Sequence, residues 1–276
     1  MTKFERILAV FLTFNAFWLC GQTLSKETII LETPYGTMKL KLYEETPLHK
    51  ANFLKLVNNS FYDSLLFHRV INNFMIQGGD PVSKRAKEGD TLGNGEIGYT
   101  IPAEISTNLI HKKGTLCAAR EGDDINPKFE SSACQFYIVQ GKVRTEDDLK
   151  KAEERINRNS YNAAARNFMK SEQGKALKVK YDSYKAANML DSAELVNKSI
   201  ELMIKVEARK SPAYFFSEYQ KKTYTTVGGT PHLDGTYTVF GEVISGMEVI
   251  DKIAAVKTNS NDRPVKDVRM KMRLEK

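Results

Sequence analysis

Arg69 stands eight residues before Gln77, with Phe74 and Met75 between them and Gly78-Gly79-Asp80 directly after. The whole run from Phe67 reads Phe-His-Arg-Val-Ile-Asn-Asn-Phe-Met-Ile-Gln-Gly-Gly-Asp. A fixed cation beside an aromatic ring, a thioether and an amide suits a site that holds an apolar ring while the guanidinium addresses the polar atoms next to it. A plain core strand would supply the apolar residues but gives no reason for Arg and Gln among them. Other chemistries fail on inspection. Gly93-Asn94-Gly95 lacks the strand-to-helix setting of a dinucleotide fingerprint, and Asp123-Asp124-Ile125-Asn126 lacks the Gly and distal Glu of a calcium loop. The four histidines are scattered without metal-ligand spacing. No metal or cofactor is expected.

Three further blocks follow in order. Gly98-Tyr99-Thr100-Ile101-Pro102-Ala103-Glu104 comes after the glycine-rich stretch 89–95, and Leu116-Cys117-Ala118-Ala119-Arg120 precedes Gln135-Phe136-Tyr137-Ile138. Leu233-Asp234-Gly235-Thr236-Tyr237-Thr238-Val239-Phe240-Gly241-Glu242-Val243 closes the set. Together with the opening run, these blocks resemble the cyclophilin family of peptidyl-prolyl cis-trans isomerases over roughly residues 28 to 140 and 229 to 274.

The resemblance implies rotation about X-Pro bonds, and proline-containing unfolded or extended polypeptides as partners. That rotation crosses a barrier of about 18–20 kcal/mol without breaking a covalent bond. Lowering the barrier by about 5–6 kcal/mol gives roughly a ten-thousand-fold acceleration. As the amide twists, the prolyl nitrogen gains lone-pair density, and a guanidinium aimed there favours the twisted form over either planar one. The resemblance assigns that role to Arg69, with Phe74 and Gln77 as its catalytic companions. It implies a proline slot formed by Phe74, Met75, Tyr137 and Leu233. Ala119, Arg120 and Gln135 would line the groove for the peptide, with His232 and Tyr237 beside it and His68 supporting Arg69. Four positions depart from the family pattern: His232 replaces a Trp, Tyr237 a frequent His, Arg120 a frequent Asn and Tyr137 a frequent Phe. Loss of the Trp tells against tight binding of cyclosporin-type inhibitors.

The elements that must position these residues are mostly short strands. Thr28 to Thr33 and Thr37 to Tyr43 read as a hairpin across Pro34-Tyr35-Gly36, with Met38, Leu40 and Leu42 on one face. Thr46-Pro47 predicts a helix start with a hydroxyl cap, ending at Asn58-Asn59-Ser60. Strands are expected near 67–71, 75–77, 116–119, 136–139 and 238–243, then a helix from about Met247 to Ala255 and a last strand from Val268 to Leu274. The pattern predicts a mainly β protein, a closed eight-stranded antiparallel barrel capped by two helices.

Residues 142–222 differ in character and predict a helical insertion, splitting the barrel domain into 23–141 and 223–276. This segment holds 18 basic and 12 acidic residues of a chain whose net charge is +7, so the excess is concentrated there. Because acids interleave with the bases, a solvated helical surface is expected and nucleic-acid binding is not. Thr145-Glu146-Asp147-Asp148 predicts a capping box and a helix through about Asn157. A second helix is expected from Asp191 to Ala208, buried along Leu195, Ile200, Met203 and Ile204. The insertion either grips unfolded clients beside the groove or merely covers the barrel. A non-catalytic proline-binding or chaperone module that holds clients with these helices is the alternative to an active isomerase.

Residues 1–22 read as a signal peptide. Lys3 and Arg6 precede the apolar run Ile7 to Leu19, and Gly21 and Gln22 follow. A periplasmic or secreted protein is expected, monomeric and without a stable membrane span. Cys20 raises lipid anchoring, but the bulky Leu19 disfavours it. Cys117 and Cys134 are left to pair or to sit as small buried hydrophobes.

Overall fold

A computed structural model of the 276-residue chain describes residues 27–275. The expected leader and Cys20 lie outside the described residues. The chain begins with the predicted hairpin, β1 (Thr28–Thr33) and β2 (Gly36–Leu42), and continues into helix α1 (Pro47–Asn58). Strands β3 (Phe67–Ile71) and β4 (Met75–Gly78) form a second hairpin, followed by β5 (Thr100–Ile101), β6 (Thr115–Ala118), β7 (Ser131–Ser132) and β8 (Phe136–Val139). Four helices come next: α2 (Glu146–Lys170), α3 (Glu172–Ala186), α4 (Leu190–Ala208) and α5 (Glu218–Thr226). Strand β9 (Val239–Ser245), helix α6 (Met247–Ala254) and strand β10 (Lys271–Leu274) complete the body.

Eight strands make one antiparallel sheet in the order β10-β1-β2-β9-β6-β8-β4-β3, while β5 and β7 pair separately. The sheet curls but is open, which corrects the expected closed barrel. No ladder joins β3 to β10. Their ends meet only through an isolated bridge, Leu66 to Arg269, with Phe67 N donating to Val268 O and Met270 N to Leu65 O. The last strand is correspondingly shorter than expected, because residues 268–270 follow the chain before β3 instead of β1.

Strand alternation gives the sheet two apolar faces. On the inner face Val70, Ile76, Ile138 and Leu116 join the main core, where Phe53 and Leu56 of α1 and Val249, Ile250 and Ile253 of α6 also pack. On the outer face Met75, Tyr137, Val139, Cys117 and Val239 form a smaller cluster under Phe74, Ala119, Leu233 and Tyr237. The two helices therefore cover one side and leave the other for the site. Cys117 and Cys134 are free thiols, both buried, and burial pushes the Cys134 thiol up to about 12.

Helix α1 is capped differently from expectation. Thr46 makes no capping bond; Glu104 instead accepts from Leu48 N at 3.0 Å and His49 N at 2.9 Å. Helix α2 opens on the predicted box, Thr145 Oγ1 accepting from Asp148 N and Thr145 N donating to the Asp148 carboxylate, both at 3.1 Å. It runs well past Asn157, to Lys170, because Phe168 and Met169 near its end pack with Val196, Ile200 and Ile204 of α4 and with Leu177 of α3. Leu195 and Met203 fall off the buried stripe of α4, which is Ala193, Val196, Ile200 and Ile204. The base of α2 is fixed to the body by Leu149, Ala152 and Ile156 packing with Ile110, Phe216 and Tyr224. No helix among the described residues is long and apolar enough to cross a membrane.

Candidate active site

Register across three ladders builds the site. Arg69 of β3 stands opposite Gln77 of β4, Gln77 opposite Tyr137 of β8, and Tyr137 opposite Cys117 of β6. Directly paired residues share a face, so these four project in a row from the outer side of the sheet. The turn Asn72-Asn73 between β3 and β4 places Asn73 at φ +62°, a conformation Asn tolerates, and delivers Phe74 to the rim. After β6 the chain presents Ala119 and Arg120, and the segment before β9 contributes Leu233 and Tyr237.

These residues enclose an open cavity of about 170 Å³ lined by Arg69, Phe74, Met75, Gln77, Ala119, Arg120, Tyr137, Leu233 and Tyr237. None of its walls comes from residues 142–222. Nine of the twelve sequence-selected residues thus meet in one place. The other three stand behind or beside it. His232 stacks on Phe74, with ring centroids 5.7 Å apart. Gln135 faces the glycine-rich loop, donating from Nε2 to Gly93 O at 2.9 Å and Gly95 O at 2.8 Å, while its Oε1 accepts from Gln77 at 3.3 Å. His68 is buried, with no hydrogen-bond partner on either ring nitrogen, and burial lowers its pKa to about 4. Its ring is therefore uncharged at neutral pH.

The guanidinium of Arg69 is 43% exposed and held loosely on both sides. Its Nη1 lies 3.4 Å from Gln77 Oε1, and its Nε lies 3.7 Å from the Asp262 carboxylate. Asp262 gives no local signal in the sequence, since it sits in a loop far along the chain. Arg120 is more firmly built in. It donates to Thr236 O, Glu121 O and Asp123 Oδ1, each at 2.8 Å. The same guanidinium lies 4.4 Å from the Tyr237 ring centroid and 4.5 Å from that of Phe129. Two departures from the family pattern are therefore one unit, an Arg replacing Asn stacked on a Tyr replacing His.

Beneath the floor lies a buried polar network. Tyr137 Oη is 3.0 Å from His111 Nε2, His111 Nδ1 is 2.8 Å from Asp234 Oδ1, and Tyr224 of α5 donates to Asp234 Oδ2 at 2.6 Å. Burial lowers the His111 pKa, but Cys117 and the Asp234 carboxylate outweigh it and raise the value to about 9. Burial is also the largest cause raising the Tyr137 hydroxyl well above its ordinary value.

The motif Gln-Gly-Gly-Asp has a steric reason. Gly79 has φ +97°, and a Cβ there would stand 2.2 Å from Cys134 O. Asp80 then caps the following turn through Val82 N at 2.8 Å and accepts from Gly93 N at 2.5 Å, so the glycine-rich loop is drawn to the groove. A Cβ on Gly95 would strike Asp80 Oδ1 at 2.1 Å.

Comparison with known proteins assigns a family. The family model "Cyclophilin type peptidyl-prolyl cis-trans isomerase/CLD" matches residues 28–171 and 209–273. The chain belongs to this family of isomerases. The match is interrupted over 172–208, which covers the α3–α4 pair. A "Putative peptidyl-prolyl cis-trans isomerase" of Staphylococcus haemolyticus is 27% identical over 87% of this chain and 86% of its own length. A "Putative bifunctional phosphatase/peptidyl-prolyl cis-trans isomerase" of Streptococcus pyogenes is 28% identical, but the chain spans only 37% of that protein. Among solved structures, a Cryptosporidium parvum cyclophilin type peptidyl-prolyl cis-trans isomerase superposes with a TM-score of 0.50 at 18% identity, covering 91% of this chain and 98% of that one.

Proposed function

We propose that this protein accelerates X-Pro bond rotation in extended polypeptides, with Arg69 stabilising the twisted amide and the Phe74–Met75–Tyr137–Leu233 slot fixing the proline ring. The observation that carries the reading is a half-exposed guanidinium on the rim of a solvent-open cavity whose walls include Phe74, Met75 and Leu233. Rotation needs one side of the bond held and the other free, and an open cavity can hold the proline ring while the chain beyond it turns. Gln77 and Arg69 share a contact, so the amide steadies the guanidinium rather than neutralising it. The leader-like residues 1–22 support clients outside the cytoplasm, which N-terminal sequencing of the exported protein checks.

Arg69→Ala is the decisive variant. Removing one transition-state donor typically costs about a hundred- to a thousand-fold, so kcat/KM in a protease-coupled assay on a Pro tetrapeptide is expected to fall by at least a hundred-fold. The melting temperature is expected to stay, since the side chain is half exposed. Equal rates for wild type and variant, both at background, would leave a non-catalytic proline-binding module.

A further inference from the structure

We propose that the cleft between the helical insertion and the active-site loops holds the client stretch adjacent to the proline. On this proposal the insertion reads substrate sequence beyond the X-Pro pair. The inference rests on the isomerase reading for the identity of the client. The cleft, of about 420 Å³, is bounded by Ile156, Ala163 and Ala164 of α2, by Pro212 and Tyr214, and on the body side by Phe129 and Thr236.

Three observations connect it to the proline cavity. First, the two hollows share a partition. Arg120 lines the proline cavity, donates to Thr236 O in the cleft wall, and lies over both Tyr237 on one side and Phe129 on the other. Second, the insertion is tied to that partition, because Asp123 takes Arg120 at 2.8 Å and Arg166 of α2 at 3.3 Å. Third, the cleft continues outward. A second hollow of about 450 Å³ shares Asn157, Ser160, Ser211 and Pro212 with it and adds Lys205 and Arg209.

The chemistry along this track selects the occupant. Asn157 is engaged with the Tyr214 backbone through both its amide atoms, and Glu207 is paired with Lys210 at 2.5 Å. What remains is aliphatic and aromatic surface interspersed with the amides of Asn159 and Asn167 and the hydroxyls of Ser160 and Ser211. Farther out the added charges are basic. An extended polypeptide with apolar residues close to the proline and acidic ones beyond fits this gradient.

The test compares a short and a long substrate. Ser160→Trp places bulk on an exposed position of α2 and keeps the fold; Ala163→Trp fills the cleft more deeply. A paired Lys205→Glu, Arg209→Glu variant reverses the outer charge. The short probe is a Pro tetrapeptide, and the long probe is a fluorescently labelled, reduced and carboxymethylated lactalbumin followed by anisotropy. Tetrapeptide kcat/KM is expected within about twofold of wild type in all three variants. Binding of the unfolded chain is expected to weaken about tenfold in the Trp variants. In the charge variant it should weaken about threefold and lose its salt dependence. Wild-type Kd for the unfolded chain in folded Ser160→Trp protein, with unchanged Kd in the charge variant, would overturn the proposal. Absence of tetrapeptide turnover in the wild type sinks the isomerase reading instead, since Kd judges the cleft by itself.

Discussion

Tyr137 turns its hydroxyl inward, away from the open cavity. Its ring walls the cavity beside Arg69 while Oη meets His111 3.0 Å away in the buried network. Tyr137→Phe is therefore expected to leave kcat/KM within about threefold, because the apolar wall survives. It is also expected to destabilise the fold by about 1–3 kcal/mol by leaving His111 Nε2 unpartnered, which urea unfolding measures. A large loss of activity at unchanged stability would place the hydroxyl on the substrate after all. At this scale much was legible from sequence, since four ordered blocks carry Arg69, Phe74, Met75, Gln77 and Tyr137, and strand register does the rest. What stayed hidden were partners supplied from afar. Asp262 beside Arg69, and His111 and Asp234 beneath Tyr137, come from separate loops whose approach no local pattern encodes. Arg120 was visible as a departure, but its stacking on Tyr237 and Phe129 required both residues to be seen in space.

Elements are governed by their ends and faces, and here the local rules succeeded unevenly. The Thr145–Asp148 box was readable because both its members lie within one turn. The cap of α1 was not, because Glu104 stands 55 residues beyond His49 and outcompetes the adjacent Thr46 hydroxyl. A carboxylate is a strong acceptor for helix N-terminal amides and complements the positive end of the helix. Glu104→Ala removes the acceptor of Leu48 N, His49 N and His49 Nδ1 together. Stability is expected to fall by about 1–2 kcal/mol, read as a lower urea midpoint with unchanged m-value, while tetrapeptide turnover at 10 °C is retained. A variant as stable as wild type would return the cap to Thr46. In α4 the apolar residues 195 and 196 are adjacent in sequence, and periodicity alone did not decide which was buried. Packing against Phe168 of α2 selected Val196 and left Leu195 67% exposed.

At the scale of the whole molecule, strand patterns show how many strands exist but not whether their edges meet, so they predict a closed barrel where the curled sheet is open. Histidine burial is likewise a property of the assembled protein, and it makes stability depend on pH in two directions. His68 and His232 have pKa values lowered to about 4, both mainly by burial. Against an unfolded value near 6.5, their contribution is fully present above about pH 6.5 and is lost as pH falls toward 4. His111 behaves oppositely. With its folded value raised to about 9, its contribution is fully present below about pH 6.5 and is lost as pH rises through 9. The melting temperature is therefore expected to peak near pH 6.5 and decline on both sides. His68→Asn makes the acid limb shallower and leaves the share of His232, because one of the two groups that must take up a proton on unfolding is gone. Asp234→Asn makes the alkaline limb shallower at a lower overall stability, since it removes the carboxylate that, with Cys117, raises the His111 pKa and that accepts from Tyr224. A melting temperature that does not change between pH 6.5 and 9 in the wild type would show that His111 is neutral in the folded protein. The Asp234–His111–Tyr137 chain would then be an ordinary hydrogen-bonded brace, not an ion pair under the cavity floor.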